Sequence, residues 1–161
     1  MAGMPEPIGD RERGNDNTHP SAMSTAFLGR IPPHRREAEL SVLGGILLQN
    51  SALDVVSEIL RPTDFYVEAH ESIYEAILQL RETSRPVDLI HLAEVLKDRG
   101  CLDRVGGVGY ISGLLDHVPT AANIESHARL VSEKAAVRSC ISAAIGIIER
   151  GYSDYGEAET Y

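Results

Sequence analysis

Four groups of residues in this 161-residue chain have side chains or backbone suited to chemistry: Gly106-Gly107-Val108-Gly109, six histidines, the pair Asp88 and His91, and Cys101 with Cys140. A glycine run can cradle phosphate on its backbone N–H groups. It then needs a preceding strand and a third glycine at dinucleotide spacing, or a Gly-Lys-Ser/Thr continuation. Neither is present. The lysines, Lys97 and Lys134, follow Leu96 and Glu133, so neither is a P-loop lysine, and no nucleotide-hydrolysis site of that kind is expected. The glycine run reads instead as a turn that starts a helix at Tyr110. His70 lies near Glu68 and Glu71, and Asp116-His117 is a pair of potential ligands. None has the spacing that gathers several ligands on one metal, so no metal site is expected. Asp88 and His91 read as a helix cap and a surface residue. The two cysteines lack CxxC spacing and read as reduced thiols of a cytoplasmic protein. No Ser/His/Asp or Cys/His nucleophile arrangement emerges, and no catalytic residue or cofactor is assigned.

What remains is surface and shape. The formal net charge is −9, from 15 Lys and Arg against 24 Asp and Glu. A nucleic-acid-binding domain normally carries a basic stripe, so little direct DNA binding is expected. No run of 18 apolar residues can span a bilayer, and the N-terminus lacks the apolar core of a secretory signal. The length suits one domain with a sizeable core.

The periodicity is helical throughout, with no alternating strand pattern, so the fold class is all-α. Residues 1–31, with Pro5, Pro7 and Pro20 and almost no apolar rhythm, read as a disordered arm. Pro32-Pro33 punctuates the start of a helix over 35–49, whose Gly44-Gly45 marks a close approach of another helix. Ser51 to Asp54 has capping-box form and opens a short helix ending at Leu60. Phe65 and Tyr66 are expected to plug the core from a connector. Helices follow over 68–81 and over 89–99, the second capped by Asp88 and ended by Gly100, then over 110–118. The final run, 121–150, is entered through Thr120 as N-cap. It carries two apolar stripes out of phase: Ile124, Ala128, Val131 and Ala135, then Val137, Ile141, Ala144, Ile145 and Ile148. A helix facing one core needs one stripe. Either the second stripe packs on a partner, or the run breaks near 132–138 into a hairpin.

The order of these signals resembles the N-terminal domain of DnaB-type replicative DNA helicases. The blocks are Pro32-Pro33-His34, Glu37-Ala38-Glu39 and Ser41-Val42-Leu43-Gly44-Gly45; then Asp64-Phe65-Tyr66 with His70 and Ile73-Tyr74; then Pro86-Val87-Asp88-Leu89. Val105 to Tyr110 and Pro119 to Ile124 complete the set. The resemblance implies a helical head over 32–118, a helical hairpin or dimerisation element over 119–151, and the start of a linker over 152–161. It implies an N-terminal fragment without the RecA-like domain, where ATP and Mg would bind. It further implies pairing of copies into a dimer and, in the full-length hexamer, a trimer of dimers, a collar that recruits primase, and a helicase loader as a further partner. Location would be the bacterial cytoplasm, at the nucleoid. By position, Tyr110, Ile141 and Ile147 are implied in domain–domain or primase contacts, beside Val137, Ile145 and Ile148 of the second stripe. The rival expectation is a stand-alone helical interaction module or a helix-turn-helix regulator.

Overall fold

The computed structural model describes residues 30–118 and 121–153. Most of the expected arm, the proposed Thr120 cap and the tail beyond Ser153 lie outside the described residues. Among those described, all regular structure is helical: α1 (Arg36–Leu48), α2 (Ala52–Ile59), α3 (Glu68–Glu82), α4 (Leu89–Asp98), α5 (Gly107–Gly113) and α6 (Ile124–Ser153). Three short 3-10 turns, Pro62–Asp64, Leu115–His117 and Ala121–Asn123, link them. No described helix is long and apolar enough to cross a membrane.

One core serves every helix. Val42, Leu43 and Ile46 of α1 meet Leu53 and Val56 of α2, Ile73, Tyr74, Ile77 and Leu80 of α3, and Leu92 and Leu96 of α4. Ile111 of α5 and Ile124, Ala128 and Val131 of α6 belong to the same cluster. The first turns of the expected dimerisation element thus share the core of the head. Helices α1 and α6 run in opposite directions: Gly45 lies against Ile124, while the Pro33 carbonyl lies against Arg138. The close approach expected at Gly44-Gly45 is real. A Cβ on Gly45 would sit 2.7 Å from Ile124 Cδ1, and one on Gly44 would overlap the Leu114 carbonyl oxygen.

Several local expectations change in detail. Asp88 caps α4 as expected, its Oδ1 accepting from the N–H groups of Ile90 at 3.0 Å and His91 at 2.9 Å. Ser51 is no cap, because its backbone is already helical; its hydroxyl accepts instead from the Gln49 side chain. The glycine run is partly helix, since α5 starts at Gly107 and not at Tyr110. Gly106 makes that start possible, with φ +100° and the Tyr110 side chain packed over the place of its missing Cβ. Phe65 plugs the core, but Tyr66 is 38% exposed.

Candidate partner interface

The final run is one continuous helix of 30 residues, not a hairpin. At 1.5 Å per residue it is about 45 Å long. Its first half lies against α1, α2 and the Pro62–Asp64 turn. Ile124, Ala128 and Val131, with half-buried Ala135, follow 4-3-4 spacing and face inward. The next position in that register is a charge, Arg138.

Arg138 joins the middle of the helix to the head. Its guanidinium donates to the Pro33 carbonyl at 3.0 Å and to the Asp64 carbonyl. Its Cζ stands 5.6 Å from the centre of the Tyr66 ring. Tyr66 in turn stacks on His34, with ring centres 4.2 Å apart and planes 17° from parallel. This accounts for the exposed aromatic: Tyr66 is a platform at the rim rather than a core plug.

From Val137 onward the apolar stripe changes face. Val137, Ile141 and Ile148 are 47%, 42% and 46% exposed, and Ile145 is half-buried. At 100° per residue they cluster on a sector centred about 120° from the core-facing stripe. Ile147 points elsewhere, about 100° round from Ile148, and is exposed. Beside it on that side run Ala136, Cys140 and Ala143, all exposed. The apolar surface of this half therefore spans more than half the circumference. Such a surface is suited to docking rather than to group transfer.

Tyr110 occupies a different place. It lies half-buried on α5, and its hydroxyl is 2.7 Å from His70 Nε2. The opposite nitrogen, Nδ1, is 2.7 Å from Glu39 Oε2. Glu39 and His70 are fully enclosed, and the Glu39 carboxylate also accepts from the N–H groups of Tyr66 and Val67 at 2.9 and 3.3 Å. A carboxylate only accepts, so Nδ1 carries the proton, and in the neutral ring Nε2 accepts from Tyr110. The chain of groups ties α1, the entry of α3, and α5 together. His70 is thus turned away from its sequence neighbours Glu68 and Glu71, and among the described residues no group of three potential ligands could hold a metal.

The chain matches the family model "DnaB-like helicase N terminal domain" over residues 31–133. That decides the family. The chain belongs to the DnaB-like helicase N-terminal domains. It is 45% identical over 137 residues to the replicative DNA helicase DnaC of Bacillus subtilis, and 44% to DnaB of Geobacillus stearothermophilus. These matches cover 85% of the chain but only 30% of each relative. Among solved structures, the N-terminal domain of DnaB helicase from Mycobacterium tuberculosis superposes with a TM-score of 0.73 at 44% identity, covering 76% of this chain and 88% of that one. The N-terminal domain of DnaB from Helicobacter pylori, described together with its interactions with primase, shares the fold at a TM-score of 0.61 and 23% identity, over 72% and 90% of the two chains. The family match ends at residue 133, four residues before Val137 and the uncovered half of α6.

Proposed function

We propose that this domain is the collar of a hexameric replicative DNA helicase, pairing with a second copy through the uncovered half of α6. The observation that carries the reading is the stripe of Val137, Ile141, Ile145 and Ile148 on a face of α6 turned away from its core-facing stripe. Each such side chain is already about half covered, so burying the rest contributes about 1 kcal/mol apiece, before the cost of association is subtracted. Over both copies that matches what a weak dimer of this fragment needs, repeated as a trimer of dimers in a full-length ring. The family membership supports the setting, and the primase interactions described for the Helicobacter pylori domain support primase as a partner of the assembled collar. Ile147, on another side of the helix, is free to serve that second contact. A helicase loader is a further candidate partner. On this reading the domain hydrolyses no ATP and binds little DNA by itself, the nucleotide and Mg belonging to the motor domain of a full-length protein in the bacterial cytoplasm.

The test is the mass of the fragment by light scattering over a range of concentrations. The parent is expected to self-associate, and Ile141→Glu to run as a monomer with its helicity largely intact. An oligomer of unchanged mass in Ile141→Glu would sink the pairing, and salt-sensitive duplex binding by the monomer would favour a DNA-reading role instead.

A further inference from the structure

The register of α6 assigns Arg138 a special position. Ile124, Ala128, Val131, Ala135 and Arg138 follow 4-3-4-3 spacing, so the guanidinium stands where the next core residue would fall. At the next position of that spacing, Ser142 is small and exposed. Arg138 thus stands where the part of the helix packed in the core gives way to the part whose large apolar side chains are exposed. Its side chain grips three separate points. Pro33 precedes α1, Asp64 closes the 3-10 turn, and Tyr66 leads into α3. The Tyr66 platform is braced by His34, whose Nδ1 is 2.9 Å from the Pro32 carbonyl. The Glu39 carboxylate holds the Tyr66 N–H from the core side. A planar fork on two carbonyls resists rotation as well as separation, which a single point contact does not.

We propose that Arg138 is a positioning residue, which fixes the angle at which the uncovered half of α6 leaves the head and so pre-sets the geometry of pairing. The inference rests on the self-pairing proposed above. It adds that association draws on a half-helix already held in its bound direction. Without the clamp, each copy must give up the freedom of that half when it pairs, and the cost appears as weaker association.

The experiment labels the full chain with spin probes at Lys97→Cys and Gly151→Cys in a Cys140→Ser background, diluted in unlabelled chain so that only distances within one copy are read. Lys97 and Gly151 are exposed and Cys101 is buried. A narrow distance distribution is expected with Arg138 present and a broad one in Arg138→Ala, while helicity and thermal midpoint stay close to the parent's. The dissociation constant of the dimer should rise about tenfold or more. Arg138→Lys keeps the charge and loses the fork, and is expected to broaden the distribution too. Tyr66→Leu provides a second variant, at a side chain outside the core. A distribution that stays narrow in Arg138→Ala and Tyr66→Leu overturns the clamp. So does loss of helicity in both, which would make the contact a matter of folding alone. A broadened distribution with unchanged dimer affinity overturns its link to assembly. An Ile141→Glu variant that keeps its mass overturns the pairing reading, and with it the assembly role of the clamp, whatever the distances show.

Discussion

Glu39, His70 and Tyr110 make one chain of polar groups through a core of aliphatic side chains, and each link is satisfied only while the others stay in place. A buried group deprived of its partner costs more than the bond itself was worth. Tyr110→Phe is accordingly expected to lower unfolding stability by about 1–3 kcal/mol in a urea titration, with the oligomer mass unchanged. A drop in mass without a drop in stability would instead make Tyr110 a contact residue. Glu39→Ala should be worse, about 3–5 kcal/mol, since it strands the imidazole and two backbone N–H groups together. At the surface, the His91 backbone N–H, then the His91 side chain, hold the Asp88 carboxyl below its ordinary value. The stability it contributes is present above the ordinary carboxylate range and lost as pH falls through the lowered value. Thermal midpoints of the parent and Asp88→Asn should therefore converge below about pH 4, and remain apart at neutral pH. Neither the buried Glu39 contacts nor the rim contact of Arg138 was legible in local sequence patterns, because the partners of Glu39 lie 27 to 31 residues away along the chain and the Asp64 and Pro33 carbonyls lie 74 and 105 residues from Arg138. The trace each leaves is a charge at an apolar register: Glu39 between Ala38 and Val42, and Arg138 after Ala135.

Helix ends and crossings were easier to read, since their causes are local. Pro32-Pro33 before α1, Asp88 before α4 and Gly100 after it each act within a turn of the chain, and the helices begin and end within a few residues of where those signals place them. Helix α3 ends on a signal that spacing does not reveal. Ser84 adopts φ +54°, while Arg85 N–H reaches the Leu80 carbonyl at 2.9 Å and Ser84 N–H reaches that of Arg81 at 3.0 Å. This is the wrap that glycine usually closes. Ser84→Gly should relieve about 1 kcal/mol of left-handed strain, less what glycine adds to the freedom of the unfolded chain, and raise the melting midpoint. Glycines within helices divide in the same physical way. Gly44→Ala drives a methyl into the Leu114 carbonyl and should cost about 1–3 kcal/mol, whereas Gly146→Ala meets nothing within 4 Å and should stabilise by about 0.5–1 kcal/mol. Chemical denaturation of the two variants side by side checks the contrast. The glycine pair announced a close crossing in the sequence, but which helix crossed there depended on the tertiary fold.

For the molecule as a whole, the all-α class and the family were legible from the order of the sequence blocks, and the unpaired stripe was legible from its phase. Whether the final run was straight or folded back was not, because no proline forces a break within 124–150 while Ser132 and Ser139 could each cap a second helix. On the proposed pairing, its straightness makes folding and association share one element. Any partner that binds only the folded domain raises its apparent stability with concentration. The thermal midpoint of the parent is therefore expected to climb as the protein is concentrated, and that of Ile141→Glu to stay flat. A concentration-independent parent would mean that the stripe is not buried under those conditions. The junction at Arg138 also has a mechanical meaning. The residues from Arg138 to Ser153 form an arm of about 22 Å, stiff because nothing in it interrupts the helical hydrogen bonds. A tilt of about 10° at the junction sweeps the tip through about 4 Å, the separation of two touching carbon atoms. On the proposed pairing, a small rotation at the junction is thus long enough, at the far end of the lever, to carry a seated isoleucine out of its socket.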